Sequence, residues 1–305
     1  MNKSVKEPGF KVHRGFFSAD KLMPRVLFIL ASISVLTTIG IVFVLFEESL
    51  KFFRQVSFIE FITGTQWTPL FSDPKYGILP LIMGTMLITV IASIVALPIG
   101  LGSAIYLSEY APERIRNLLK PTLEILAGVP TIVYGFFALS FVTPIIQAIF
   151  PQTQVFNALS AGIVVGIMII PLISSLSEDA MSAVPTSLRN AAYALGSTKL
   201  EVAIKVVVPA AFSGIVASFV LGFSRAVGET MIVTLAAGAL PSMSVNPLQG
   251  VQTLTAYIVA VAGGDTTFGS VQYLTMYSVG IVLFVITLFM NILANYIARK
   301  FREEY

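Results

Sequence analysis

Six long apolar runs leave this chain few ways to fold. They span Leu22–Phe46, Ile78–Leu107, Leu123–Phe150, Ala158–Leu176, Val206–Leu240 and Val271–Ala298. A bilayer core of about 30 Å takes about 20 apolar residues as helix. Lipid offers backbone groups no water, so such runs cross as helices that satisfy their own hydrogen bonds. Several runs exceed the minimum, which implies tilt or extension beyond the hydrocarbon. Charged residues make up only 11% of the chain, against about 25% in soluble domains. The expectation is an all-α integral membrane protein with six transmembrane helices.

The basic residues give the orientation. Lys3, Lys6, Lys11, Arg14 and Lys21 precede the first run, Arg25 lies at its very start, and Arg114, Arg116 and Lys120 follow the second. Arg189, Lys199 and Lys205 follow the fourth, and Arg299, Lys300 and Arg302 end the chain. Only Lys51, Arg54 and Lys75 fall on the other side, with Glu47, Glu48, Glu60, Asp73 and Asp265. By the positive-inside rule both termini are cytoplasmic. The division expected is a tail at 1–21, a first helix at 22–46, an external connector at 47–77, a core at 78–298 and a tail at 299–305. The first run is too long, and lacks a cleavage site, for a signal peptide. In the connector, a position at the membrane interface is open to Trp67, as Trp often takes one. Val251–Gly264 is apolar but too short to span, and suits an interfacial or re-entrant piece.

Much chemistry is missing. The chain has no cysteine, so disulfides and thiolate metal sites are excluded. His13, the lone histidine, sits in a polar tail and is read as solvated; no metal or cofactor is expected. No Gly-Lys dipeptide occurs, so a phosphate-cradling P-loop is absent. "GLGSAIY" (Gly100–Tyr106) lacks the third glycine of a dinucleotide fingerprint and reads as a flexible or close-packed part of the second run. The net charge of +3 does not point to nucleic acid, because the basic residues sit at the ends of apolar segments. The chain is not expected to be an enzyme; energised transport would need nucleotide hydrolysis on another subunit.

Between the fourth and fifth runs, "EDAMSAVPTSLRNAAYALGSTKLEVAIKVVVPAA" (Glu178–Ala211) predicts two short cytoplasmic helices. Thr186 caps the first or Pro185 occupies its first turn. Gly196 ends it, and Ser197 or Thr198 caps the second with Glu201 close behind. Taken alone, this is equally a solvated amphipathic loop. Its spacing, however, resembles the "EAA" motif of ABC importer permeases. Asn190, Ala191 and Ala192 are followed by three residues, Gly196, nine residues and Val206-Val207-Val208-Pro209. Asn190 stands where the motif has Glu. In that family the helix pair, here at about 178–205, docks on the ATPase subunit.

"LPLIMGTMLITVIASIVALPIGLGSAIYLSEYAP", "LEILAGVPTIVYGFF" and "SRAVGETMIV" resemble the phosphate-specific branch of these permeases, and the N-terminal helix with its "QWTP" connector resembles the PstC-type subunit. The resemblance implies the type I ABC importer permease (MetI-like) fold. It implies a second, PstA-type permease subunit, two PstB-type ATP-binding subunits and an external PstS-type phosphate-binding protein in a bacterial inner membrane.

Arg225 and Glu229 stand alone as ionisable groups between Val206 and Leu240. A mid-span arginine costs at least about 2.5–3.5 kcal/mol on insertion scales, so it should face protein or water. Gly214, Ser218 and Gly222, spaced by four, form a small-residue stripe for close helix approach, and Arg225 and Glu229 fall on the same side of a continuous helix. Val216, Phe219, Val220 and Phe223 lie opposite and suit lipid or the apolar bundle. One reading is an i, i+4 ion pair that merely makes insertion tolerable, although Arg before Glu is the poorer order. In the other, Arg225 lies on a translocation path and Glu229 tunes it, since a planar guanidinium matches oxyanion geometry; the resemblance implies the same. Glu124, after Pro121, is expected in the first turn of the third span. Pro98, Pro130, Pro144 and Pro171 are expected to kink their spans. A permease for molybdate or sulfate, and a stand-alone ion-coupled carrier, are the competing readings.

The charge bias generates a test. In this cysteine-free chain, Ser72→Cys should react with an impermeant thiol reagent added outside and not with one confined to the cytoplasmic side. Labelling from the cytoplasmic side alone would overturn the orientation.

Overall fold

The computed structural model describes residues 19–300. Most of the tail at 1–21, with Lys3, Lys6, Lys11, His13 and Arg14, and the end at 301–305, with Arg302, lie outside it, as do the side chains of Lys21 and Arg299. The described residues divide into two units, one ending at Glu47 and one beginning at Glu48.

The first unit is the greater part of helix α1 (Ala19–Phe53). Its apolar side chains, among them Phe28, Leu36 and Phe43, are exposed, as suits a helix facing lipid. The helix runs on past the expected end at Phe46, through Glu47 and Glu48, because nothing there breaks it.

The second unit holds α2 (Phe58–Thr63), α3 (Leu79–Ile105), α4 (Glu113–Ala127), α5 (Thr131–Phe137), α6 (Thr143–Ile149) and α7 (Ala158–Ser182). Then follow α8 (Thr186–Ala194), α9 (Lys199–Val202), α10 (Val208–Ala210), α11 (Phe212–Val227), α12 (Met231–Ala236), α13 (Leu254–Ala262) and α14 (Val271–Lys300). Among the described residues of both units, five helical stretches are long and apolar enough to cross a membrane; a sixth is a pair, Lys199–Ala210 and Phe212–Val227, bent by 73°.

Prolines explain the irregularities. Three wide π turns, Tyr106–Tyr110, Ala138–Val142 and Ala203–Val207, each end two residues before a proline: Pro112, Pro144 and Pro209. Proline supplies no N–H and its ring crowds the carbonyl four residues back. Widening the preceding turn relieves both. Pro98 and Pro171 instead sit inside unbroken helices.

Two expected spans are corrected. The third does not start at Leu123. Gly128 ends α4, and Pro130 disfavours helical geometry at Val129, so the apolar stretch begins at Thr131. Glu124 therefore lies in the last turn of α4, where the helix dipole does not favour a carboxylate. The fifth span is not one helix from Val206 to Leu240: it bends at Ala211 and stops at Val227. Arg225 and Glu229 consequently share no helix.

α7 is the centre of the bundle, and α3 and α11 pack on it closely. A Cβ at Gly162 would lie 2.6 Å from Ile91, and one at Gly100 2.7 Å from Ile173. On α11, a Cβ at Gly214 would lie 2.4 Å from the Ala180 methyl, and one at Gly222 3.0 Å from Ile173. Between these two, Ser218 shares a 2.7 Å hydroxyl hydrogen bond with Ser177. The small-residue stripe thus lies against α7. Phe219, Val220 and Phe223 line an open apolar groove with Ile94 of α3 and Met290 of α14.

Trp67 is buried in protein and does not present its ring to a membrane interface. It is 2% exposed and packs edge-on against Phe61 and Tyr257, because its backbone pairs with Tyr76 and folds the connector over the bundle. α13 is buried among longer helices: Thr85 accepts from the Leu254 N–H, Thr253 caps the helix, and the Tyr257 and Thr275 hydroxyls lie 2.6 Å apart. A short helix is tolerated at such a depth because its polar groups are satisfied by protein.

Close packing at Gly214 generates a test. Gly214→Val should overpack the α7–α11 contact and destabilise the purified subunit by about 1–3 kcal/mol. Ala180→Gly in the same chain should recover much of that loss in thermal unfolding; no recovery would place the strain elsewhere.

Candidate functional site: a charged cavity between three helices

A cavity of about 200 Å³ opens between α4, α7 and α11. Arg225, in the last turn of α11, lines it, with Lys120, Leu123 and Glu124 from α4 and Met168, Ser175 and Glu178 from α7. Arg225 is exposed and, among the described residues, forms no ion pair or hydrogen bond. Nearby, the Tyr134 hydroxyl donates to the Leu126 carbonyl at 2.9 Å.

Glu229 has a different place. It is 8% exposed, and its Oε1 accepts from the Met231 and Ile232 N–H groups at 3.0 and 3.2 Å. These are orphan donors at the start of α12, and an anion there complements the helix dipole. The ion pair with Arg225 allowed by a continuous helix is absent, since the chain turns at Gly228. Thr255 donates to the Glu229 carbonyl at 2.6 Å and ties this break to α13.

Sequence reasoning missed the partner of the α4 cations. Glu178 is fully buried, yet it is ion-paired to both Arg116 and Lys120, the latter at 2.7 Å, and accepts from Ser182 at 3.0 Å. Lys120 also reaches Asp179 at 2.9 Å. The hydrogen bonds to Glu178 and Asp179 hold the Lys120 ammonium above the ordinary lysine range. Arg116, Lys120 and Leu123 are spaced by four and three, one stripe of a helix, and this stripe is what α4 turns to α7. α4 buries no residue at all, so charge rather than packing holds it. The signal was in the sequence: Arg116 and Lys120 at i, i+4, and Glu178 only two residues beyond an apolar run.

The loop after α7 forms two helices. Pro185 precedes α8 without a side-chain cap, and Thr198 makes a full capping box with Glu201 at the start of α9. Gly196 adopts φ +83°, which L side chains enter only at a cost of about 1–2 kcal/mol. Asn190, Ala191 and Gly196 are exposed and Ala192 is buried; Pro209 is the second residue of α10, beyond the π turn. Leu195, Leu200 and Ile204 are exposed on the same segment. Arg189 anchors α8: it pairs with Glu109 at 2.9 Å and donates to the carbonyls of Met181 and Val184. Among the described residues, no cluster of potential metal ligands occurs.

The model of the family described as binding-protein-dependent transport system inner membrane component matches residues 96–303. The probable ABC transporter permease protein YqgH of Bacillus subtilis strain 168 is 39% identical over 88% of both chains. The phosphate transport system permease protein PstC of Xylella fastidiosa strain Temecula1 is 35% identical over 79% of both chains. That of Mesorhizobium japonicum is 32% identical over 88% of this chain and 87% of its own. Among solved structures, a bacterial ABC transporter involved in the import of the acidic polysaccharide alginate aligns with TM-score 0.65 at 13% identity, covering 93% of this chain and 98% of that one. The MetNI methionine ABC transporter in an inward-facing form aligns with TM-score 0.58 at 18% identity, covering 73% and 96%. The six-span architecture, with its two short helices after α7, and these matches agree: the chain belongs to the binding-protein-dependent transport system inner membrane components and, within them, to the PstC-type permeases.

Proposed function

We propose that this chain is a transmembrane permease subunit of an ATP-driven phosphate importer in a bacterial inner membrane. It forms half of the pore, opposite a PstA-type subunit. Of two PstB-type ATPases in the assembly, one binds α8 and α9 of this chain, and a PstS-type protein delivers phosphate from outside. Both termini are cytoplasmic in this reading. Hydrolysis belongs to the ATPases, so this chain is not itself an enzyme.

The observation that carries the reading is Arg225: a guanidinium on a cavity within the bundle, without a carboxylate partner among the described residues. A charge so placed is costly unless a ligand or water meets it, and its planar fork matches phosphate oxygens. Glu229, by capping α12, fixes the helix break beside Arg225. The relatives named as phosphate transport permeases favour phosphate over molybdate or sulfate. The paired helices after α7 favour an ATPase-coupled subunit over a stand-alone carrier.

Two tests follow. In the assembled, reconstituted complex, Arg225→Gln and the double variant Arg225→Gln, Glu229→Gln should both lose phosphate uptake, while Arg225→Lys should retain part of it. Near-normal uptake by the double variant would leave both residues structural. Gly196→Asp should leave the subunit inserted but uncouple ATP hydrolysis from uptake, because the positive φ at this corner no longer holds the helix pair in shape. Normal ATP-driven uptake by that variant would reject the docking role.

A further inference from the structure

We propose that Lys120 is a second anion contact on the translocation path, and that it passes from Glu178 to the transported oxyanion and back. The inference rests on the phosphate reading above.

Lys120 and Arg225 line one cavity from opposite elements, α4 and α11. The cavity has room for a tetrahedral oxyanion with part of its hydration shell. An anion held at Arg225 therefore meets the Lys120 ammonium next. That ammonium is a compact point charge on a flexible stem, able to change acceptors without a fixed geometry.

The local wiring permits the exchange. Glu178 uses its two oxygens separately: Oε1 takes Arg116 and Ser182, and Oε2 takes Lys120. When Lys120 leaves, the buried carboxylate keeps a cation and a hydroxyl, so no uncompensated charge is left in the interior. Asp179, more than half exposed, offers Lys120 a second resting partner. α4 has no buried side chain to extract, so its cations can shift without opening the apolar core. A tighter clamp would bury apolar residues of α4 against α7, and none is buried there.

Glu178 and the oxyanion are in this view competitors for one cation. The test exploits the competition. Ser175 lines the same cavity, and this chain has no cysteine of its own. Ser175→Cys is introduced into the assembled transporter, and its alkylation is followed against inorganic phosphate, with label read on this chain alone. Phosphate should protect the cysteine. Lys120→Met should raise the phosphate needed for half-protection by roughly tenfold or more, the loss of one charge-assisted hydrogen bond. Glu178→Gln should lower it, because Lys120 is freed for the anion. A purely structural clamp predicts shifts in the same direction from both changes, since each removes the same ion pair. Shifts of the same sign, or none from Lys120→Met, overturn the exchange while leaving phosphate transport standing. A complex whose unaltered chain takes up no phosphate, and whose Ser175→Cys form phosphate does not protect, overturns the phosphate reading and the exchange with it.

Discussion

Close approach to α7 is the constraint on which the rest of this structure depends. In lipid the hydrophobic effect does not drive helices together, so contact area and interhelical hydrogen bonds must. Gly100 and Gly162 bring α3 and α7 together, and Gly214 and Gly222 bring α11 against α7. The Ser177–Ser218 hydrogen bond sits inside the second contact. Only because α11 lies this near does Arg225 reach the side of α7 that Glu178 and Ser175 also serve. Packing by small residues thus places the charges.

α4 is held by the opposite means. Its ion pairs to a fully buried Glu178 are screened by salt far less than surface pairs are. The i, i+4 pair of Glu201 and Lys205, with side chains 45% and 71% exposed, is open to solvent and salt and contributes little. The same bundle therefore contains one element fixed by shape and one by charge, side by side around the cavity.

How much of this the sequence disclosed depends on how local the cause is. Apolar length announced the spans, and Gly196, Thr198 and Glu201 announced the corner between α8 and α9, because caps and turns act within a few residues. The Gly214, Ser218, Gly222 stripe was legible because its period is that of the helix. Breaks were harder. Gly128 and Pro130 were visible, but hydropathy alone ran Leu123 into Phe150. At Gly228 the helix stops because a buried carboxylate takes the amides of Met231 and Ile232, a choice that depends on tertiary surroundings. The burial of Trp67 was hidden for a similar reason: it comes from Tyr257, far along the chain. The Glu178 cluster joins residues about sixty positions apart, and no periodicity reports such a pairing.

The 73° bend at Ala211 has a mechanical meaning. Lys199–Ala210 is an arm of twelve residues on one side of it, roughly 18 Å long at about 1.5 Å per residue. The arm ends at the corner formed by Gly196, and the other limb of the bend carries Arg225 in its last turn. A swing of about 10° around the elbow moves the far tip by ~3 Å at that arm length, about the length of one hydrogen bond. A displacement of that size at the corner thus corresponds to only a small change in the bend, and the length of the arm sets the ratio between the two.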